Sequence, residues 1–321
     1  MSTFRLWSDD VEAMRPEARE AVANGFSVLS EMLGRGGEPP SDPVERAAAQ
    51  RAHYAATFPT VPEAVDREIA GVRCRVLTPD GPPKALYLHF HGGGMVVGMP
   101  EMNDVGNRAL ARTHDVTVVS VDYRLAPEHP YPAGPDDGIA VARWLLEHAE
   151  SEYGTSRFVL GGESAGGYMA AAVLLRIRDE LDAIDRVLGA NLVYGVYDWG
   201  RSPSQRGVRP HAGPDVLDPE GIEFFTDCYV PGRTDDERRD PAISPAFADL
   251  RGLPSLLCSV GSADHLLDDT LLLAARAAAA DTPVELFVAP EMPHGFGAFP
   301  CGITTAWQAT THAWFTRVLA A

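Results

Sequence analysis

The segment Gly162-Glu163-Ser164-Ala165-Gly166 holds one hydroxyl side chain among residues whose side chains are mostly small or absent. An apolar run at 157–160 precedes it, and a helix-forming run at 168–176 follows it. A strand, a sharp turn and a helix around a G-x-S-x-G pattern are typical of a nucleophile elbow, which exposes the serine hydroxyl at the tip of the turn. A plain glycine-rich turn has the same local pattern, because glycine adopts positive φ without a steric penalty. Ser164 is therefore a candidate nucleophile that needs partners.

A serine nucleophile requires a base, a carboxylate that orients the base, and donors for an oxyanion. Asp264 and His294 each follow a predicted strand, so both are expected at the same edge of the sheet as Ser164. The order Ser, Asp, His along the chain is that of an α/β-hydrolase triad. Asp264 also fits the simpler role of capping a turn. His294 is one of ten histidines, and its short loop after the last strand favours it over the others.

The segment His91-Gly92-Gly93-Gly94 follows another predicted strand. Its glycines leave backbone N–H groups uncovered, and the N–H of Ala165 at the start of the elbow helix is a further donor for an oxyanion. A dinucleotide-binding loop is the rival interpretation, but neither glycine-rich segment fits G-x-G-x-x-G. His89 and His91 have a spacing that can hold a metal. Because no third ligand is apparent nearby, we favour loop anchoring and predict no metal and no cofactor.

The elements that must position these residues alternate between strands and helices. The predicted strands are 65–77 with a bend at Gly71, 84–90, 116–121, 157–160, 187–194, 255–260 and 284–289. The predicted helices are 9–33, 43–57, 138–149, 168–176, 222–229, 268–280 and 304–319. This alternation indicates an α/β fold with a mostly parallel central sheet and helices on both faces. Active sites of such sheets lie beyond the carboxyl ends of the strands.

Composition narrows the class of protein. The 321 residues are 45% hydrophobic and 22% charged, which is ordinary for a globular domain. The formal net charge of −18 argues against a nucleic-acid partner. Neither a signal-peptide core nor an apolar run long enough to span a membrane is present in the sequence. The cysteines at 74, 228, 258 and 301 are far apart, which suits a reducing compartment. We expect a soluble, cytoplasmic protein with no membrane partner.

Together these motifs resemble the bacterial hormone-sensitive lipase-like esterases, a family of α/β-hydrolases. The resemblance covers roughly the last three-quarters of the chain. It is carried by HFHGGG at 89–94, VDYRLAPEHPYPAGPDD at 121–137, GESAGG at 162–167, DHLLD at 264–268 and PHGF at 293–296.

The resemblance implies a role for each matching residue. Ser164 matches the nucleophile, His294 the base and Asp264 its partner, while Gly92, Gly93 and Ala165 match the oxyanion donors. It also implies a single α/β-hydrolase domain over 1–321, with a helical cap. The cap would be formed by about 1–50 and about 198–240, and the catalytic core by about 51–197 and 241–321. Apolar residues in the two cap segments would close over the site: Phe4, Leu6, Trp7, Val22, Phe26, Val28, Leu29, Trp199, Phe224, Phe225 and Tyr229.

Three positions depart from the family pattern. Met95 stands where an aromatic residue is usual, Glu163 replaces a common Asp, and His265 replaces a common Pro. Met95 leaves the shape of the substrate pocket open, because methionine is flexible. We predict that the pocket is formed by Met95, Tyr194, Trp199 and Phe224.

The expected activity is that of a serine carboxylesterase that hydrolyses short-chain, small-molecule esters through an acyl-enzyme. A lactone or amide hydrolase, a lyase and a non-catalytic receptor on the same fold remain alternatives, since chemistry has to be argued from the site. The intact set of three candidate catalytic residues disfavours the receptor. The resemblance also suggests a homodimer.

Overall fold

The computed structural model describes residues 5–34, 39–211 and 215–321. Within them, eight strands form one sheet: β1 Val65–Ile69, β2 Val72–Leu77, β3 Ala85–Phe90, β4 Val116–Val121, β5 Phe158–Glu163, β6 Val187–Val193, β7 Ser255–Gly261 and β8 Val284–Ala289. The order across the sheet is β1-β2-β4-β3-β5-β6-β7-β8. Strand β2 is antiparallel to both β1 and β4, and every other neighbouring pair is parallel.

Helices connect the strands and cover the sheet. They are α1 Asp9–Ala13, α2 Arg15–Met32, α3 Pro43–Thr57, α4 Asp104–His114, α5 Ala133–Tyr153, α6 Ala165–Leu181, α7 Pro219–Tyr229, α8 Asp235–Arg238, α9 Leu267–Ala279 and α10 Gly302–Ala320. Alternate residues of β3 separate the two faces. Leu86 and Leu88 join the core formed with α5, α6 and α9, whereas Tyr87 joins the core formed with α4 and α10. Strands β3 and β4 are buried along their whole length, as expected for a sheet covered on both faces.

The predicted mostly parallel sheet with helices on both faces is confirmed. Helix α4 was not predicted, because three of the four residues on its buried side are polar: Asp104, Asn107 and His114, with Ala111. Helix α5 begins at Ala133, five residues before the predicted start at Gly138, because its first turn contains Gly134 and Pro135, which are typical of a loop. Phe4, predicted to belong to the cap, lies outside the described residues.

Two features of the described residues bear on membrane and metal binding. None of the helices in the three described ranges is long and apolar enough to cross a membrane. In the same part of the chain, no three His, Cys, Asp or Glu side chains gather as a set of metal ligands.

Candidate active site

Ser164, His294 and Asp264 lie in a hydrogen-bonded row at the carboxyl ends of β5, β8 and β7. The Ser164 hydroxyl is 2.9 Å from His294 Nε2, and His294 Nδ1 is 2.9 Å from Asp264 Oδ2. Asp264 is completely buried, and its other oxygen accepts a hydrogen bond of 2.8 Å from the N–H of Leu266. Because the carboxylate accepts a hydrogen bond from Nδ1–H, Nε2 carries no proton and can accept the proton of the serine hydroxyl. In such an arrangement the imidazole can take the proton of the serine hydroxyl as the hydroxyl attacks a carbonyl carbon.

The turn that carries Ser164 is strained and tightly packed. Ser164 has φ 57° and ψ −121°, a conformation that non-glycine residues rarely adopt, and its N–H donates to Val193 O at 2.9 Å. A Cβ added at Gly162 would lie 2.2 Å from Phe90 O, and one added at Gly166 would lie 1.9 Å from the same oxygen. Only glycine allows the elbow to approach the end of β3 this closely, so the two glycines that flank the serine are explained by packing.

The glycine-rich loop after β3 lies against the elbow. A Cβ added at Gly92 would lie 3.0 Å from Glu163 O and 3.5 Å from Ser164 Cβ. The loop is closed by two bonds to Gly93 O, from Val96 N at 3.1 Å and Val97 N at 2.9 Å. No acceptor in the described residues takes a hydrogen bond from the N–H of Gly92, Gly93 or Ala165. Three backbone donors beside the serine are therefore available for a bound molecule.

His91 anchors this loop from beneath. Its Nδ1–H donates to Gly92 O at 2.8 Å, and its ring stacks on Tyr123 with centroids 4.3 Å apart. Complete burial lowers the pKa of His91 to about 4, so its ring is neutral at physiological pH. His89, two residues earlier, binds Ser120 and Glu163 within the protein. Both histidines therefore have structural contacts that fit loop anchoring.

A cavity of about 550 Å³ opens onto Ser164 and His294. Helices α2 and α3 and the residue that follows each of them supply part of the lining: Leu29, Leu33, Gln50, Tyr54 and Phe58. The segment after β6 supplies another part: Trp199, Val216, Leu217, Ile222, Phe225 and Thr226. Most of these side chains are apolar, so the cavity suits a largely hydrocarbon ligand beside the serine.

Comparison with known proteins assigns the family. Residues 87–298 match a family model described as alpha/beta hydrolase fold. The chain is 36% identical over 231 residues to the carboxylesterase NlhH of Mycobacterium tuberculosis, an alignment covering 70% of each protein. It is 36% identical over 236 residues to the esterase LipI of the same organism, covering 72% of each. The chain belongs to the hormone-sensitive lipase-like esterases of the α/β-hydrolase fold.

Solved structures agree with this assignment over nearly the whole chain. A hormone-sensitive lipase from a metagenome library superposes with a TM-score of 0.76 at 30% identity, covering 93% of this chain and 97% of that one. The shared fold therefore includes the segments outside the matched residues 87–298.

Two of the four residues predicted to form the substrate pocket of this esterase line the cavity. Tyr194 and Trp199 line the cavity, and the Tyr194 ring meets the His294 ring edge-on with centroids 4.9 Å apart. Burial raises the pKa of Tyr194 well above its usual value, so its hydroxyl stays neutral. Met95 and Phe224 are not in the lining. Fully buried Met95 points its methyl group towards Gly134, and Phe224 lies under the Arg46 guanidinium, 3.9 Å from ring centroid to Cζ.

Phe225 lines the cavity, whereas its neighbour Phe224, which was predicted to do so, does not. It lies three residues after Ile222 in α7, and both face the cavity, as helical spacing predicts. Its ring covers Gly94, where an added Cβ would lie 2.4 Å from the ring. Asn103 and Gln50 also line the cavity, and no local sequence signal identifies either of them.

Hydrogen bonds and ion pairs connect both of these cavity segments to the loops that carry His294 and Asp264. From α2, Arg15 and Arg19 bind Glu291 in the His294 loop at 2.9 and 3.1 Å. From the segment after β6, Asp215 lies 2.9 Å from Nε2 of His265, the residue next to Asp264. His265 therefore connects the loop that carries Asp264 to the cavity wall.

Proposed function

We propose that this carboxylic ester hydrolase uses Ser164 as its nucleophile, His294 as its general base and Asp264 as the group that orients the base. The observation that supports these roles is the unbroken pair of 2.9 Å hydrogen bonds from Ser164 through His294 to Asp264. The strained conformation of Ser164 exposes its hydroxyl to the cavity, where an ester carbonyl has room to bind.

The reaction proceeds through two similar steps. Ser164 Oγ attacks the ester carbonyl while His294 Nε2 takes its proton, and the resulting imidazolium is stabilised by the Asp264 carboxylate. His294 then donates that proton to the departing alcohol, which leaves an acyl group on Ser164. Water then attacks the acyl carbon while His294 takes its proton. The bond between the acyl carbon and Ser164 Oγ breaks, His294 returns the proton to Oγ, and the acid is released.

The tetrahedral intermediates carry a negative charge on the former carbonyl oxygen. We propose that the N–H groups of Gly92, Gly93 and Ala165 bind this oxyanion, because all three lack an acceptor among the described residues. The Ala165 N–H also lies at the N-terminus of α6, where the helix dipole favours negative charge. Loss of one such donor lowers kcat by about 10²–10³-fold in a comparable hydrolase.

We further propose that about 1–50 and about 198–240 form a cap on one α/β-hydrolase domain and restrict the enzyme to short acyl chains. The support is the cavity itself, whose walls come from these two segments and from α3, which extends to Thr57, so the first segment reaches somewhat beyond residue 50. A volume of about 550 Å³ holds a small ester but not a triglyceride. We expect a preference for acyl groups of about two to six carbons, an estimate based on the limited volume of such pockets.

The test is a series of p-nitrophenyl esters compared by kcat/KM, with Ser164→Ala as the control. The proposal predicts the highest value at short chains and no turnover above background for the variant. A maximum at twelve carbons or more, or activation by a lipid interface, contradicts the capped pocket. Lactones and activated amides belong in the same panel, because their hydrolysis uses the same tetrahedral intermediate.

We also propose a homodimer, which the family resemblance supports, and a cytoplasmic location, which the wide spacing of the cysteines supports. Light scattering of the purified protein tests the first, and fractionation of the producing cells tests the second.

A further inference from the structure

Glu163 gives the cavity its charge. It is the only Asp, Glu, Lys or Arg among the described residues that line the cavity, and its side chain is 29% exposed. The other lining residues are apolar, glycine or neutral polar, apart from the imidazole of His294. A carboxylate therefore stands directly beside the proposed nucleophile in surroundings that are mostly hydrocarbon.

One oxygen of this carboxylate is held by the protein and the other is free. Oε2 accepts hydrogen bonds from His89 Nε2 and from Asn103 Nδ2, each at 3.1 Å. No donor in the described part of the chain reaches Oε1. Since Glu163 lines the cavity, Oε1 is available to whatever occupies it.

A buried hydrogen-bond network holds His89 against Glu163. The His89 side chain is fully buried, and its Nδ1 lies 2.7 Å from the Ser120 hydroxyl and 3.3 Å from Asn107 Nδ2. Nε2–H donates to Glu163 Oε2, since a carboxylate oxygen accepts. These contacts fix the position of the carboxylate at the edge of the cavity.

We infer that Glu163 selects substrates by charge, favouring esters that bear a cationic group over uncharged ones and rejecting esters that bear a carboxylate. This inference rests on the proposed function, because it requires the ester to bind in this cavity. Aromatic side chains support it, since Trp199, Tyr194 and Phe225 share the cavity lining. The negative face of an aromatic ring attracts a cation and has no such attraction for an anion.

The expected effect is large. A unit charge about 7 Å from Glu163, at an effective dielectric constant of about 20, changes kcat/KM by roughly fiftyfold. Glu163 raises kcat/KM for a cationic ester and lowers it for an anionic one. The ratio of the cationic to the anionic kcat/KM therefore contains the product of the two factors.

The experiment uses three butyrate esters followed by pH-stat: those of choline, of its uncharged isostere 3,3-dimethylbutanol, and of 4-hydroxybutanoate. A second series carries the trimethylammonio, tert-butyl and carboxylate groups at the far end of the acyl chain of methyl esters. Wild type, Glu163→Gln and Glu150→Gln are compared. Glu150 lies on the exposed surface of α5, so its variant makes the same change in net charge away from the cavity.

The inference predicts that wild type prefers the cationic to the anionic ester in at least one series. It predicts that Glu163→Gln lowers this preference at least about tenfold and that Glu150→Gln leaves it unchanged. Because each ratio is taken within one variant, a general loss of catalysis in Glu163→Gln cancels. An unchanged ratio in Glu163→Gln in both series overturns the inference. Failure of wild type to hydrolyse the uncharged esters overturns the proposed function instead.

Discussion

Removal of the Asp269 carboxylate tests how the segment after β6 is held over the site. Asp269 is fully buried in α9. Its Oδ1 accepts from the backbone N–H groups of Tyr197 and Asp198 at 2.9 and 2.8 Å, and its Oδ2 accepts from the Ser202 hydroxyl at 2.9 Å. The Gln205 amide nitrogen donates to both oxygens at 2.9 Å. These bonds fix the point where the chain leaves the sheet to form a wall of the cavity.

The hydrogen bonds of Asp269 predict different losses of stability for substitution by Ala and by Asn. In Asp269→Ala, Gln205 still donates to Asp198 O at 2.8 Å, and the Ser202 hydroxyl has Ser204 Oγ within 3.4 Å. Two buried backbone N–H groups lose their acceptor. At about 1–3 kcal/mol each, the free energy of unfolding falls by about 2–6 kcal/mol.

Asp269→Asn keeps Oδ1 for both backbone N–H groups. Its new amide nitrogen needs an acceptor, and the Ser202 hydroxyl oxygen becomes one when its own proton turns to Ser204 Oγ, 3.4 Å away. We therefore expect a loss of less than about 1.5 kcal/mol.

The assay is urea unfolding followed by tryptophan fluorescence at pH 8, with kcat/KM for a short ester measured on the same samples. Asp269→Ala should lose both stability and activity, whereas Asp269→Asn should retain most of each. A loss below about 1 kcal/mol in the Ala variant, or equal losses in the two variants, refutes the reasoning.

Three more predictions follow from packing and charge. Burial raises the pKa of Asp269 to about 7, above about 3.9 in the unfolded chain, so its contribution to stability falls as pH rises between these values. The unfolding free energy of wild type minus that of Asp269→Asn should therefore decrease from pH 4 to 7, and a constant difference contradicts this. Gly166→Ala should lower stability by at least about 2 kcal/mol and abolish activity, because its Cβ meets Phe90 O at 1.9 Å. Gly81→Ala, with no atom within 4 Å of its Cβ, is the control whose melting temperature should not fall. Phe225→Ala should move the preferred acyl chain to longer esters in the p-nitrophenyl series by opening the cavity wall, and an unchanged optimum argues against that role.

Local signals in the sequence identified the elements that depend on local chemistry. Helix α3 was predicted with its observed bounds because Asp42 caps it, accepting from the N–H groups of Val44 and Glu45, and because Pro43 begins it. Strand β4 was also predicted at its observed bounds, since a continuous apolar run is typical of a strand buried on both faces.

Elements stabilised by tertiary contacts were harder to predict. Helix α4 buries Asp104, which accepts hydrogen bonds from Arg75 at 2.7 and 2.6 Å. The buried side of this helix is held by a salt bridge to a distant strand rather than by apolar side chains, so apolar residues at helical spacing do not identify it.

The candidate site divides in the same way. Ser164, Asp264 and His294 could be nominated because each follows a strand, and parallel strands bring their carboxyl ends to one edge of the sheet. The cavity wall depends instead on how distant segments pack. No local sequence signal shows that Met95 is directed towards Gly134 and not into the cavity. Likewise, none shows that Gln50 of α3 lines the cavity.

Covalent labelling of Ser164 tests the central claim most directly. Wild type and Ser164→Ala are treated with an organophosphonate, digested with trypsin and mapped by mass spectrometry. Cleavage after Arg157 and Arg176 releases the peptide 158–176, whose only hydroxyl side chains are Ser164 and Tyr168. The account predicts that one phosphonyl group appears on Ser164 as esterase activity is lost, and that Ser164→Ala takes up no label and hydrolyses no ester. Loss of activity with the label on another residue, or ester turnover by Ser164→Ala, contradicts it.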